Sequence, residues 1–388
     1  MDNALNLQRL DTFFLLKRGH DLPAQNRKEG KYPVISSSGI TGWHNEWKAR
    51  GPDVVTGRYG TLGKVFYEKS DFWPLNTTLY VYDFKDSYPK FVYYFLKALN
   101  FDHLSSAAAV PGLDRNVLHS LKVDFPPLRI QKKIANILSA YDELIDNNNQ
   151  RINLLEQMAE EIYKEWFVRL RFPGHEQTRI VDGVPEGWEI VRIKNAFDII
   201  GGGTPSTKEK SYWENGTVNW VTPTDITGAP GLFISEVANK ITESGLSGSS
   251  AKLFPPYSVM MTSRATIGAI GINTQPACTN QGFITCLPNR HFPYTYIASW
   301  LKINRPLIDN FATGATFKEI AKTVFKRLKI PKPISPISEK YHKQVEPLYE
   351  EINILLQKNK ILKQTRDLLL PRLMSGKLSV DHLLAPDN

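Results

Sequence analysis

The 388-residue sequence predicts an α+β protein: two similar globular domains separated by an antiparallel coiled coil of two long helices, an internal repeat with pseudo-two-fold character. Three observations predict it. Short motifs recur at one long offset, two stretches carry heptad seams, and the segments between them are rich in β-favouring runs broken by Gly, Pro and Asn.

The repeat comes first because it organises everything else. Val55-Thr56-Gly57-Arg58-Tyr59-Gly60-Thr61-Leu62-Gly63 has an echo in Met261-Thr262-Ser263-Arg264-Ala265-Thr266-Ile267-Gly268, the two arginines standing 206 positions apart (264 − 58). Asn76-Thr77-Thr78 is echoed by Asn280-Gln281-Gly282 at an offset of 204 (280 − 76), and Leu121-Lys122-Val123 by Leu328-Lys329-Ile330 at 207 (328 − 121). Matches in the same order at nearly one spacing mean that one unit is present twice.

Each unit ends in a heptad pattern. The first seam reads Ile134, Leu138, Tyr141, Ile145, Asn148, Ile152, Leu155, Ala159, Ile162, Trp166, and the second Val345, Leu348, Ile352, Leu355, Asn359, Leu362, Arg366, Leu369. Apolar positions alternating at steps of four and three are the signature of a coiled coil. Asn148 and Asn359 place an amide in each seam, which fixes register at some cost in stability. Pro126-Pro127 before the first helix, and Pro331, Pro333 and Pro336 around the start of the second, set where each begins. Two helices of about 35 residues need one another to bury their stripes, and pairing within one chain is favoured over separate dimerisation helices by the shared offset.

The expected domains are residues 1–125 and 185–333. The long helices occupy 126–171 and 334–378, with a linker at 172–184 and a tail at 379–388. Strands are expected at Val65-Phe66-Tyr67, Leu79-Tyr80-Val81-Tyr82 and Phe283-Ile284-Thr285, and one helix in each domain, near 90–99 and 294–302.

Composition narrows the function. The net charge of +9, from 48 Lys+Arg against 39 Asp+Glu, suits a polyanionic partner. Two cysteines, Cys278 and Cys286, make no disulfide framework. No apolar run approaches a membrane span and no secretory signal is legible, so a soluble, cytoplasmic protein is expected. Catalytic signatures are missing. Gly201-Gly202-Gly203-Thr204-Pro205-Ser206-Thr207-Lys208 is glycine-rich but lacks the phosphate-cradle order, and the eight histidines are scattered with no HExxH. Asp124-Phe125-Pro126-Pro127 fails as an amino-methyltransferase motif, because Phe125 interrupts it and no cofactor loop accompanies it. Neither a catalytic residue nor a metal ligand is expected.

What remains is polar, basic and small, and sits in loops. In the first domain the candidate DNA contacts are Ser37, Ser38, Arg58, Tyr59, Thr61, Lys64, Asn76, Thr77 and Arg115. In the second they are Thr204, Ser206, Thr207, Lys208 and Thr224, then Ser263, Arg264, Thr266, Asn280, Gln281, Thr316 and Lys318. An arginine between small residues can fork onto guanine O6 and N7 or onto a phosphate, and Asn76, Asn280 and Gln281 can pair with adenine edges or cap local turns.

Val184-Pro185-Glu186-Gly187-Trp188 followed by Gly202-Gly203-Thr204-Pro205-Ser206-Thr207 resembles the opening of a target-recognition domain in type I restriction–modification specificity subunits. Ser36-Ser37-Ser38-Gly39-Ile40-Thr41-Gly42, the Gly57–Gly63 stretch and Ala109-Val110-Pro111-Gly112-Leu113 look like pieces of another. Pro126-Pro127-Leu128 with Gln131-Lys132-Lys133-Ile134, and the run from Arg366 through Leu370-Pro371-Arg372-Leu373-Met374-Ser375-Gly376, resemble that family's conserved helices. The resemblance covers nearly the whole chain and implies a non-catalytic subunit with two target-recognition domains, each reading one half of a bipartite asymmetric site in double-stranded DNA. It implies that the helical pair sets the gap and that two modification subunits dock on the helices, methylating adenine N6 with S-adenosylmethionine. Ile145, Ile152, Leu155, Trp166, Ile352, Leu355 and Leu362 are the candidate partner-binding positions. Restriction subunits would add ATP- and Mg2+-dependent chemistry, so this chain is expected to bind no cofactor and no membrane. A specificity subunit of another restriction class, a standalone adenine-N6 methyltransferase and a coiled-coil adaptor remain open alternatives at this point.

Overall fold

The computed structural model describes residues 7–99, 101, 112–264, 266–314 and 318–381. The chain divides into two compact units, residues 1–146 with 361–388, and residues 147–360. The candidate Thr316, Ala265 and the Ala109-Val110-Pro111 part of one motif lie outside the described residues.

In the first unit an antiparallel four-stranded sheet runs in the order Leu15–Arg18, Thr78–Asp83, Asp53–Gly57, Val65–Glu68. A mixed three-stranded sheet sets Tyr32–Ser36 between Gly39–His44 and Trp73–Pro74. Helix Pro89–Ala98 turns Phe91, Val92, Phe95 and Leu96 inward, where they join Leu10, Phe14, Leu16 and Val54 in the core. The stretch read as a helix near 90–99 is this element.

The second unit repeats the plan. Its larger sheet has the order Ile199–Ile200, Phe283–Cys286, Val259–Thr262, Ile270–Asn273, with Phe233–Ile234 added in parallel at the edge. Its three-stranded sheet sets Val218–Val221 between Asn239–Ile241 and Ala277–Thr279. Register carries the equivalence: Val55 pairs with Tyr80 and Met260 with Thr285, both shifted by 205 (260 − 55, 285 − 80). Helix Tyr294–Ile303 lies at the same offset from Pro89–Ala98. The edge pairs Arg9–Lys122 and Arg192–Lys329 match as well, the latter strands standing 207 apart (329 − 122).

The long helices are Leu128–Tyr163 and Ser335–Met374. The first starts just after its two prolines. Gln131 fixes that start, its Nε2 donating to Pro126 O at 2.8 Å while its Oε1 accepts from Tyr88 N at 2.8 Å. The seam positions are buried or half-buried throughout both helices, as the heptad pattern requires. Within the second unit the segments run antiparallel: Asn148 Nδ2 donates to Asn359 Oδ1 at 2.8 Å, while Arg151 meets Glu351 at 2.8 Å further along. Asn359 Nδ2 in turn donates to Asn149 Oδ1 at 2.9 Å, so the buried amides satisfy one another. In the first unit Arg366 pairs with Asp142 across the two segments.

This amide pair makes a prediction. Asn148→Ala strands Asn359 Oδ1 in an apolar seam and costs about 1–3 kcal/mol. Changing both asparagines to leucine restores a satisfied seam and brings the urea midpoint back to the parent or above. A double variant as weak as the single one would show that the pair contributes more than mutual satisfaction.

The first helix ends earlier than the predicted 171. At Lys164–Val168 it widens into a π-turn that rolls Trp166 and Phe167 into the second core. The predicted linker 172–184 carries structure of its own. Phe172 is buried against Trp188, with ring centroids 5.0 Å apart, and Ile180–Val181 pairs with Val184–Pro185. Among the described residues no helix is long and apolar enough to cross a membrane.

Candidate nucleic-acid interface

In both units the end of a central strand, the turn preceding its neighbour and the segment leaving the edge strand meet at one end of the larger sheet. In the second unit Ser263 N donates to Gly282 O at 2.8 Å, Ile320 N to Ser263 O at 3.0 Å, and Gly203 N to Thr279 O at 2.9 Å. In the first, Arg58 N donates to Thr77 O at 2.8 Å, Leu113 N to Arg58 O at 2.9 Å, and His20 N to Pro74 O at 2.8 Å. The same three backbone clasps build both mouths.

Close approach depends on two glycines. A Cβ on Gly19 would lie 2.1 Å from Leu75 O, and one on Gly202 would lie 2.1 Å from Asn280 O. No side chain fits, so each glycine lets the segment that follows it lie against the turn carrying the candidate amides.

The clasps revise the arginine match. Arg58 occupies the place of Ser263, not of Arg264, and Tyr59 occupies that of Arg264, since Tyr59 bridges Gly112 as Arg264 bridges Glu319. The two motifs match in letters one residue out of their structural register, and a slip of one exchanges which side each side chain faces. The recurrence of an arginine at one structural position therefore fails, although both arginines remain at the mouths. Arg58 stacks on the Tyr59 ring with its guanidinium 4.5 Å from the centroid. Arg264 Nε donates to Glu319 Oε1 at 2.8 Å, both groups about half exposed. An exposed pair of this kind is worth little, so a phosphate can displace the glutamate.

The other candidates divide. Thr204 Oγ1 donates to Gln281 Oε1 at 2.7 Å, and Asn76 Nδ2 donates to Asp21 Oδ1. Asp21 was not among the sequence candidates; the Gly19/Gly202 pair, two residues ahead of Asp21 and Thr204, was the signal that could have found it. Asn280 turns its Oδ1 onto Gly282 N at 2.9 Å and so caps its turn, the structural option of the two left open. The Thr77 hydroxyl is buried and has no hydrogen-bond partner among the described residues, so this residue serves the mouth through its carbonyl. Ser37 lies against the Gly57–Gly60 turn, and Ser38 Oγ shares a hydrogen bond with Ser36 Oγ at 2.9 Å. Thr224 Oγ1 lies 2.8 Å from Thr222 Oγ1, beside the capping box of helix Pro223–Thr227. Lys64, Arg115, Ser206, Thr207, Lys208, Thr266 and Lys318 are exposed, and Thr61 is half-buried. Ser263 is buried and enters through its backbone.

The partner-binding candidates are corrected by burial. Ile145, Ile152, Trp166, Ile352 and Leu355 are buried in the cores, and Leu155 and Leu362 are half-buried in the seam. Seam residues are already spent on the opposite helix. Among the described residues, the large apolar side chains that the helices present outward are Leu154, Met158 and Ile354 in the second unit and Leu128, Leu144, Ile361 and Leu368 in the first.

The chain matches the type I restriction modification DNA specificity domain twice, over residues 8–157 and 185–364. It belongs to that family. The family supplies DNA recognition rather than catalysis, which sets aside the standalone methyltransferase. The chain is 32% identical over 170 residues to the type I restriction enzyme MjaIX specificity subunit of Methanocaldococcus jannaschii, a match covering 43% of this chain and 39% of that protein. It is 24% identical over 336 residues to the HindI specificity subunit of Haemophilus influenzae, covering 71% and 72%. The crystal structure of a type I restriction–modification S subunit from M. genitalium shares the fold, with a TM-score of 0.60 over 96% of this chain and 97% of that one at 17% identity.

Proposed function

We propose that each unit of this specificity subunit reads one half of a bipartite, asymmetric DNA target, and that the paired helices set the gap between the halves. The observation that carries this is the twice-built mouth. One backbone scaffold, in matched register, presents different side chains: Arg58, Tyr59 and Asn76 in one copy, Arg264 and Gln281 in the other, where the place of Arg58 is taken by the buried Ser263. One scaffold with two sets of readers is what a target with two unlike halves demands. The surplus of basic residues adds the phosphate attraction that positions such a reader.

Both long helices contribute residues to both units, so their length is the natural measure of the gap. Two modification subunits dock on the outward helix faces and methylate adenine N6 using S-adenosylmethionine, while restriction subunits bring ATP- and Mg2+-dependent chemistry. This chain holds none of those cofactors and works in the cytoplasm.

The test is co-expression with a modification subunit and base-resolution mapping of N6-methyladenine. The parent gives a split asymmetric motif with a fixed gap. Deleting one heptad from each helix removes about 10 Å of rise and shortens the gap by up to about three base pairs, with both half-sites unchanged. An unchanged gap overturns the helical measure, and the absence of any split motif overturns the reading.

A further inference from the structure

We propose that Asn76 and Gln281 are specificity-determining residues of opposite polarity: Asn76 presents a hydrogen-bond acceptor to its half-site, and Gln281 presents a donor. The proposal rests on the DNA-reading function above and names which atoms do the reading.

The two amides occupy one structural position, 205 residues apart (281 − 76), as do the neighbours that anchor them, Asp21 and Thr204. A glycine that no other residue can replace brings each anchor against its amide. The anchors differ in chemistry. A carboxylate only accepts, so Asp21 holds the Asn76 amide by its nitrogen and points Oδ1 the other way; flipping the amide would set oxygen against oxygen. In the orientation seen, the Thr204 hydroxyl donates to Gln281 Oε1 at 2.7 Å and Nε2 extends outward; a hydroxyl accepts as well as donates, so this anchor sets the amide less strictly than a carboxylate does. Among the described residues neither outward atom has another partner, and Gln281 is exposed while Asn76 is half-exposed at its mouth.

Polarity translates into bases through the major groove. An acceptor meets the exocyclic amino groups, adenine N6 or cytosine N4, and is refused by guanine and thymine. A donor meets guanine O6 and N7, thymine O4 or adenine N7, and is refused by cytosine. Asp21 thus keeps the Asn76 amide, which could otherwise flip and read either class, committed to one, while Thr204 holds Gln281 donor-outward without barring the flip.

The experiment uses the full chain assembled with its modification subunit, probed by binding to randomised DNA. Asn76→Ala relaxes one base position in one half-site, and Gln281→Ala relaxes one position in the other. At those positions, base analogues then test the atoms. Removing the exocyclic amino group from the contacted base weakens the parent about tenfold and leaves Asn76→Ala unaffected. Replacing the purine N7 or the carbonyl acceptor does the same for the parent against Gln281→Ala. Asp21→Asn frees the Asn76 amide to flip and turns its sharp position into a degenerate one with little loss of affinity, a second readout should an alanine variant bind too weakly to profile; Thr204→Val removes the anchor of Gln281 and blurs the matching position in the other half-site. If alanine variants keep both half-sites sharp, the amides do not read bases, while the recognition function stands. If the analogue effects are swapped between units, the assigned polarity is wrong. If the parent selects no split site at all, it is the underlying function that falls.

Discussion

Replacing Asp53 with asparagine removes a steep loss of stability between pH 4 and pH 8. Asp53 opens the central strand Asp53–Gly57 of the first unit and is only 3% exposed, with Val54 N donating to its Oδ1 at 2.5 Å. No cation pairs with it among the described residues, and burial pushes its carboxyl from the ordinary 3.8 up to about 8. The unfolded carboxyl releases its proton near pH 4, whereas the folded one keeps it up to about pH 8. Across that window the native chain binds one proton more, so stability falls as pH rises and levels off above it. The full span is worth about 5 kcal/mol for this one group. The carboxyl accepts from Val81 N as well as Val54 N; asparagine keeps an acceptor for one of them and carries no charge, so the variant is flat where the parent slopes and, because one lost hydrogen bond costs about 1 kcal/mol, is the more stable at pH 8. The second unit carries an uncharged residue at the equivalent place, Ser258, which donates to Pro255 O at 2.8 Å. Urea denaturation of parent and variant at several pH values measures it; parallel curves would mean that the carboxyl is ionised in the native state.

Asp53 also marks what sequence reading reaches. The seams were legible because a heptad repeat is a local pattern, written in residues three and four apart, and both asparagines were placed by it. The repeat was legible for the same reason, as strings of letters that recur. Strand register is not local. Arg58 and Arg264 looked equivalent because the letters agree, but backbone pairing sets Tyr59 opposite Gly112 and Arg264 opposite Glu319, contacts made across more than fifty residues. The anchors of the amides were hidden likewise, since Asp21 reaches Asn76 over 55 positions and Thr204 reaches Gln281 over 77. The partner-binding positions went astray in a different way. An apolar stripe announces that something covers it, and here each helix covers the other, leaving the outward Leu154, Met158 and Ile354 as the available surface of the second unit.

Tyr341→Ala destabilises the second unit by about 4 kcal/mol, and the cause shows why Trp166 cannot be a docking residue. Tyr341 is fully buried on the C-terminal helix, with its ring centroid 4.9 Å from Phe167, 5.8 Å from Trp166 and 6.0 Å from Tyr163. Its hydroxyl shares a hydrogen bond with Ser299 Oγ at 3.1 Å, and Ser299 reaches Tyr349 at 3.3 Å. Truncation therefore opens a cavity beneath the π-turn that delivers Trp166 and Phe167, and leaves a buried hydroxyl with one partner fewer. Tyr341→Phe loses the hydroxyl alone and costs about 1 kcal/mol. The difference between the two variants isolates the packing, read from urea unfolding of the lone chain by tryptophan fluorescence. Trp166→Ala belongs with Tyr341→Ala: it weakens the lone chain before any partner is added, whereas a docking residue would leave the lone chain intact and weaken assembly alone. Equal midpoints for Tyr341→Ala and Tyr341→Phe would mean that the aromatic cluster is loosely packed, and the helix end would then no longer be fixed to the core of the domain it enters. A helix can measure a gap only if its end is held, and in the second unit these rings hold it.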